Sequence, residues 1–576
     1  MDKIYMASII LVLLFCCNTS KEASLVKQTP NNNIRINQIG YYAQGPKQAT
    51  VVNSESIKTF SIIDTNTKKS VFDGQLGNQK TYPLAGETVQ LIDFTNFNKQ
   101  GVYYIQLSNG WTSYPFRIAT SIYNDALVAS VKSFYFQRAS MDLEEQYAGK
   151  WHRSARQVDN EILYHPSIGK EGSISSPKGW YDAGDYGRYV VNGAFSAGQL
   201  LMAYERHSDF FSDNTLNINE SGNGISDLLD EIKYEADWIL TMQDPNDGGV
   251  YNKLTTKKFS GVIMPADNNM PHYILPKGTA AALDFAAFMA KLSRIYARID
   301  EAQSRIWLTA SERAWQWALK NPDTPFTNPK DVSTGEYGDK FFHQEKYWAA
   351  AELYLATEQE EYFTYLQSNA PDLNYIQGDG WQSYMRFIAA FALLQDNSPY
   401  PDFEKQKLKK MLLFSADNLV DIATSNDYNQ CVNKFAWGSN SDVQNTAVIL
   451  AEAYRHQPKP EYLQIVVSSM DYLMGHNATG YSYFTGFGSR PAMNIHHRPS
   501  QADNIKEPVP GFVVGGPNVS MQDKRDVDYP DNPRPMQAYM DVWPSYASNE
   551  ICLNWNSPTP YLFAFLEDKM GGMIEK

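Results

Sequence analysis

Two textures divide the chain. From Ile34 to Thr120, apolar and β-branched residues alternate or cluster in short stretches: "IRINQIGYY", "QATVVNS", "TFSIID", "ETVQLIDF", "GVYYIQL" and "SYPFRIA". Turn residues such as "DGQLGNQ" and "LSNG" separate them. Strands at this spacing predict a small antiparallel β-sandwich of about 85–90 residues. After Ile122 the apolar positions change to helical spacing, in "NDALVASVKSFYFQRAS", "FSAGQLLMAYERH", "SDLLDEIKYEADWILTMQ", "KGTAAALDFAAFMAKLSRIYARI", "EKYWAAAELYLAT", "SDVQNTAVILAEAYRH" and others. Ten or more amphipathic helices with no strands between them predict an all-α domain of about 450 residues. No short fixed-period repeat of the solenoid kind runs through it. Helices in that number can pair around an axis as an α/α barrel, with long loops shaping a groove at one end.

The first residues differ from both textures. "MDKIYMASIILVLLFCCNTS" has a short positive start at Lys3 and an apolar run from Ile9 to Phe15, then Cys16 and Cys17. The run is too short to span a bilayer. Its pattern predicts a bacterial lipoprotein signal over 1–17, with Cys17 as the lipidated residue and Cys16 the alternative; the other reading is a simple secretion signal, leaving the protein periplasmic or secreted. Residues 18–33, "NTSKEASLVKQTPNNN", are polar and predict a flexible tether. A lipid anchor would hold the protein at a bacterial membrane surface, on the outer face or the periplasmic side, without burying its body. Beyond the signal only Cys431 and Cys552 remain, which is no disulfide scaffold.

Composition narrows the partners. A formal net charge of −14 argues against nucleic acid. Aromatic residues are 13% of the chain, with 37 Tyr and 12 Trp. They supply a large core or a groove of flat rings on which sugar faces stack, and composition does not choose between the two.

Three stretches carry candidate chemistry. "GWYDAGDYGRYV" places Asp182 and Asp185 together in a glycine-rich bend before a predicted helix. Asp185 suits a helix cap. The pair also suits a general base whose neighbour positions a water, since adjacent carboxylates raise each other's proton affinity. "AYMDVWPSYASNEICLNWNSPTPYLFAFL" holds Asp541, Tyr546 and Glu550 among apolar residues, where a carboxyl stays protonated and can act as an acid. "MNIHHRPS" sets His496, His497 and Arg498 side by side. No further His or Cys stands at zinc spacing, so these read as hydrogen-bond donors to a substrate rather than metal ligands.

These stretches, in this order, resemble glycoside hydrolase family 9, chiefly β-1,4-glucanases. "GWYDAGDYGRYV" is similar to the family's base motif, "DYLMGHNATGYSYFTGFGSRPAMNIHHRPS" to its histidine motif and "YASNEICLNWNSP" to its acid motif. "IRINQIGYYAQGPKQATVV" resembles the start of the immunoglobulin-like domain found in one branch of the family. "SGNGISDLLDEIKYEADWILTMQ", "GGVYNKLTTKKFSG" and "FAWGSNSDVQNTAVIL" extend the likeness from Ile34 to Phe565. The resemblance implies an immunoglobulin-like sandwich (34–120) followed by an (α/α)6 barrel (121–576). It implies Asp185 as base, Asp182 as the holder of the water and Glu550 as acid, cleaving with inversion. It implies His496, His497, Arg498, Asp541 and Tyr546 as substrate contacts. Trp437 in "WGSN" is a candidate sugar platform, with a core tryptophan as the alternative.

Two departures stand out. Many family members bind calcium at a loop resembling "TGEYGDKFFHQEKYWAAAELY". Asp339 and Glu345 remain as candidate ligands, but Gln344 stands where aspartate is usual, which weakens the site. Catalysis by carboxyl groups requires no cofactor. Cys552 replaces a small apolar residue and reads as packing. The expected activity is an endo-β-1,4-glucanase, acting as a monomer on soluble β-glucan: xyloglucan, mixed-linkage glucan or a cellulose-like chain. The alternatives are an exo-acting glucosidase or glucosaminidase of the same family, or a glycan-binding protein without activity.

Overall fold

The computed structural model describes residues 30–572 apart from 55, 157–158, 376, 378–379 and 427. The predicted signal, Cys17 and residues 18–29 of the predicted tether lie outside the described residues. The end of that tether is corrected: the Asn31 amide donates to the Thr112 carbonyl at 2.8 Å, so the chain is bound to the sandwich before Ile34.

Nine strands build two facing sheets. One is β1 (Ile34–Arg35), β3 (Gln48–Val52), β7 (Glu87–Asp93) and β6 (Lys80–Tyr82). The other is β2 (Gly40–Tyr42), β9 (Phe116–Ala119), β8 (Gly101–Leu107), β4 (Thr59–Asp64) and β5 (Ser70–Gln75). Alternation drives the packing: Tyr103, Ile105 and Leu107 of β8 point inward while their neighbours are less buried. They meet Ile34, Val51, Phe60 and Ile62 in one core. Tyr41 sets its ring edge-on to Phe94 and Phe116 at 5.1 and 5.3 Å.

Among the described residues, twelve helices of nine residues or more follow: α1 (Asn124–Phe136), α2 (Val190–His207), α3 (Asp227–Thr241), α4 (Thr279–Tyr296), α5 (Glu301–Lys320), α6 (His343–Thr357), α7 (Glu360–Ser368), α8 (Met385–Leu393), α9 (Asp402–Thr424), α10 (Ser439–His456), α11 (Pro460–Leu473) and α12 (Pro558–Met570). The even-numbered six form an inner ring, in which α2 packs on α4, α4 on α6, α6 on α8, α10 on α12 and α12 on α2. The ring closes between α8 and α10, where the Tyr384 hydroxyl, one residue before α8, donates to Asp442 of α10 at 2.9 Å. The odd-numbered helices cover this ring from outside. The inner helices are buried almost all round and rich in small residues, as "TAAALDFAAFMA" of α4 shows. Gly198 of α2 shows how close they come: a Cβ there would stand 2.6 Å from the Trp348 ring of α6.

Two expectations are corrected. The helical domain is not free of strands: β10 (Ile162–Tyr164), β11 (Ser173–Ile174), β12 (Arg188–Tyr189), β13 (Lys253–Thr255) and β14 (Tyr273–Ile274) form a small five-stranded sheet. The stretch "DGQLGNQ", expected as a turn between strands, begins inside β5, which runs on to Gln75.

The sandwich is joined to the barrel through buried polar contacts. Asn37 donates to Asp471 and to the Tyr123 hydroxyl, both at 2.7 Å. The Tyr42 hydroxyl donates to Glu567 at 2.8 Å. Burial pushes Asp471 up to about 8. No helix among the described residues is long and apolar enough to cross a membrane.

Candidate active site

The bend around Asp182 and Asp185 sits at the N-terminal end of inner helix α2. Backbone bonds stitch it to the other two motifs. The Asp182 carbonyl accepts from the Leu553 amide at 2.9 Å, beyond Glu550, and the Gly184 carbonyl accepts from the Arg498 amide at 3.1 Å. Gly184 is the crossing point: a Cβ there would sit on the His496 carbonyl oxygen. Only glycine lets three chain segments approach so closely. Its amide donates to Glu550 Oε1 at 3.3 Å, which places the acid candidate against the residue preceding Asp185.

Asp182 is held on both oxygens. Asn192 Nδ2 donates to Oδ1 at 2.6 Å, and the Tyr337 hydroxyl donates to Oδ2 at 2.7 Å. Asp185 Oδ2 accepts from the Gly187 amide at 2.9 Å. The capping reading of Asp185 is therefore corrected: helix α2 starts at Val190 after Tyr189, and the Asp185 carboxylate closes the preceding turn.

Asp182, Asp185 and Glu550 line one cavity of about 370 Å³ together with Phe259, Tyr337, Trp381, Trp437 and Trp555. Trp437, 46% exposed, has the freedom a sugar platform needs and is no core residue. Tyr546 packs between Trp437 and His496, with ring centres at 5.7 and 6.0 Å.

The histidine loop divides into two roles. His496 lies flat on Trp543, centroids 4.3 Å apart, and its Nδ1–H donates to the Trp543 carbonyl at 2.8 Å. Burial pulls its pKa down to about 4, so the ring is neutral and Nε2 is an acceptor. The expected donor role is thereby reversed. His497 is 1% exposed and both its ring nitrogens are engaged, with Gln137 Oε1 at 3.0 Å and Ser500 Oγ at 2.9 Å, which speaks for a supporting role. Gln137 in turn donates to the Ala183 carbonyl at 2.9 Å, so His497 buttresses the bend from behind. Asp541 is also corrected. It accepts from the Met493 and Asn494 amides at 3.0 and 2.8 Å and from Asn549 Nδ2 at 3.1 Å, pinning the histidine loop to the acid segment. Arg498 donates to the Gly184 carbonyl at 2.7 Å and the Ser260 carbonyl at 3.0 Å, and its charge faces the acids.

Burial raises all three acids above their ordinary values. Asp182 is pushed up to about 8, first by burial and then by Asp185. Glu550 rises well above its ordinary value through burial and the Asp185 charge. Asp185 also rises through burial, but Arg498 is the strongest influence opposing it. Burial and the Asp185 charge thus drive Glu550 toward its protonated form, while Arg498 holds Asp185 back from it.

The chain belongs to glycosyl hydrolase family 9. The family matches residues 123–563, and the cellulase N-terminal immunoglobulin-like domain matches 29–110. A xyloglucan-specific endo-β-1,4-glucanase of Bacteroides ovatus is 39% identical over 93% of this chain and 94% of its own. Endoglucanase D of Acetivibrio thermocellus is 31% identical over 94% of this chain and 85% of its own. A solved family 9 structure from Bacteroides ovatus superimposes with a TM-score of 0.87 at 37% identity, covering 94% of this chain and 100% of that one.

Several residues of this family 9 hydrolase escaped sequence reasoning. Asn192 lies inside a predicted helix and Tyr337 in the loop read for calcium, yet both grip Asp182. Cys552 is more than packing. Its thiol lies 3.2 Å from Asn192 Nδ2 and 3.4 Å from the Tyr337 hydroxyl, sharing both donors with Asp182. Cys431 and Cys552 are both free and buried.

The calcium candidates Asp339 and Glu345 lie within electrostatic reach of each other and of Asp284, and the buried carboxyl oxygens of Glu345 and Asp284 have no hydrogen-bond partner among the described residues. Gln382 donates to Asp339, and no three acid, histidine or cysteine side chains among the described residues are grouped to hold a metal. Burial pushes Glu345 up to about 8 and Asp339 to about 6, and buried Asp284 rises with them.

Proposed function

We propose that the cavity hydrolyses internal β-1,4-glucosidic bonds of a soluble β-glucan, xyloglucan foremost, with inversion. The observation that carries the assignment is Glu550 resting on the Gly184 amide beside Asp185 in one aromatic-lined cavity. Glu550 donates its proton to the glycosidic oxygen as the C1–O bond breaks. Asp185 takes a proton from the water that attacks C1 on the opposite face, and Asp182, fixed by Asn192 and Tyr337, steadies that water. His496 Nε2 accepts from a sugar hydroxyl, Arg498 holds the bend and biases the charges, and Trp437 stacks on a sugar ring. Xyloglucan is favoured by the activity named for the Bacteroides ovatus relative.

The test is a substrate panel of xyloglucan, mixed-linkage glucan and carboxymethylcellulose, with product sizes and the first-formed anomer followed by NMR. Internal cleavage of xyloglucan giving the α-anomer first is expected. Release only of terminal units would replace the endo reading by the exo one. Binding without release would leave a glycan-binding protein.

No calcium is needed in this reading: burial raises the Asp339, Glu345 and Asp284 carboxyls, which disfavours the charged ligands that a cation requires. A chelator should leave both rate and melting temperature unchanged; a falling melting temperature would restore the cation. The enzyme acts as a monomer anchored by lipid at Cys17. Palmitate labelling lost in Cys17→Ala tests the anchor, with Cys16→Ala as the alternative site.

A further inference from the structure

Behind the cavity wall lies a cation that the proposed mechanism does not use. Lys253 is in the first position of β13, paired with Tyr189 of β12, and is fully buried. Its Nζ donates to the Thr334 hydroxyl at 3.1 Å and the Gly335 carbonyl at 2.5 Å. It lies 5.1 Å above the Tyr189 ring and 5.5 Å above the Phe326 ring. Among the described residues it has no carboxylate at contact distance. A buried ammonium without a contact counter-ion is costly, and something in its surroundings must offset that cost. Gly335 and Tyr189 themselves line the cavity with Asp182 and Asp185, so the ammonium stands one layer behind the two carboxyls.

We propose that Lys253 is a positioning residue whose buried charge, set behind the cavity wall, keeps the base Asp185 ionised. The charged groups acting on Lys253 are Asp185, then Asp182, then Glu336. Asp185 also feels Arg498, Tyr189 faces both carboxyls, Tyr337 faces Asp182, and Lys253 acts on Asp182 as well. Burial lowers Lys253 to about 7 while these carboxylates oppose the fall. Below that pH the ammonium is charged, and there it resists protonation of Asp185. Lys253 is not among the main charges acting on Glu550, which are Asp185, Arg498 and Asp182. Its loss therefore moves one limb of the pH profile and leaves the other in place.

This inference rests on Asp185 acting as base. The experiment records kcat/KM against pH on xyloglucan for wild type, Lys253→Met, Lys253→Arg and Asp185→Asn. In Lys253→Met the acid limb should rise by about one pH unit, a tenfold loss on that limb, with the rate above it nearly restored and the basic limb unmoved. A loss equal at every pH, or an unmoved acid limb, would overturn the proposal. Lys253→Arg, which keeps the charge, should show an acid limb at or below that of wild type. An upward shift there refutes the proposal even where the methionine variant does not fold. Substantial activity in Asp185→Asn would instead refute the assignment of the base and leave Lys253 to be judged apart from it.

Discussion

The barrel buries a cluster of carboxyls toward each of its ends, and the two clusters behave in opposite ways. At the N-terminal ends of the inner helices stand Asp182, Asp185 and Glu550. Toward the C-terminal ends of α2, α6 and α10 stand Glu205, Glu352 and Glu452, and Lys291 and Arg294 come from α4. In the second cluster Lys291 contacts Glu205 and Glu352 at 2.9 and 3.1 Å. Arg294 contacts the same two acids at 2.6 and 3.0 Å, and Arg206 meets Glu452 at 2.8 Å. Burial acts to raise Glu205 and Glu452 as it does the first cluster, but here the contact cations win and both end below their ordinary values. In the first cluster Arg498 spends its hydrogen bonds on the Gly184 and Ser260 carbonyls, and Lys253 stays behind the wall. The acids there are left raised. Burial by itself does not make a catalytic carboxyl; withholding the contact counter-charge does.

The largest effect expected from this contrast is in rate. Glu550→Gln removes the donated proton and should cut xyloglucan hydrolysis by about 10³-fold while glucan binding persists. Reducing-sugar release and a binding isotherm on the same preparation check it, and retained turnover would remove Glu550 from the acid role. The opposite cluster should respond in stability. Glu352→Gln leaves Lys291 and Arg294 sharing Glu205 alone, at a cost of about 3–5 kcal/mol in urea unfolding. Its kcat at 25 °C should stay close to wild type. A large loss of rate with little loss of stability would mean that the two ends are not functionally separate.

Gly184→Ala tests the junction on which the first cluster depends. The added methyl meets the His496 carbonyl oxygen, and relieving that clash must separate the base bend from the histidine loop. A rate loss of about 10²-fold is expected, because small displacements at reacting groups cost that much. A stability loss of about 1–3 kcal/mol should accompany it. Wild-type kinetics in this variant would show that the close approach carries no function.

Much of this was legible in the sequence, and the failures share a cause. The longer sandwich strands β3, β4, β7 and β8 and most barrel helices announced themselves because each repeats its period, whereas β5 and β6 escaped the reading. The sheet β10–β14 escaped it too, since strands of two or three residues complete no alternation. His497 was grouped with His496 by adjacency. In extended backbone, where His497 has φ −140° and ψ 111°, neighbours point to opposite sides, so one ring meets the site and the other supports it. Asp541 and Asn192 are polar residues whose partners are distant backbone or a residue on another element, and no local pattern reports such a pairing. Lys253 was visible only as one lysine in "VYNKLTT"; its meaning lies in what surrounds it.

The smallest expected effect concerns the stability that raised acids cost. Asp182 has a folded pKa of about 8 against about 3.9 in the unfolded chain. Between those values the folded protein binds a proton that the unfolded chain has released, so this residue's contribution to stability falls as pH rises. The lowered acids of the opposite cluster carry the reverse sign: their contribution is present above the unfolded pKa and is lost as pH falls through the folded one. Asp182→Asn removes the titration while leaving a side chain of the same shape between Asn192 and Tyr337. Its stability relative to wild type should grow from near zero at pH 4 to on the order of 2 kcal/mol at pH 8, even as its rate falls. Thermal unfolding of both proteins across that range decides the matter. An advantage that does not change with pH would place the cost of Asp182 in packing rather than in its proton, and the contrast between the two ends of the barrel would lose its electrostatic basis.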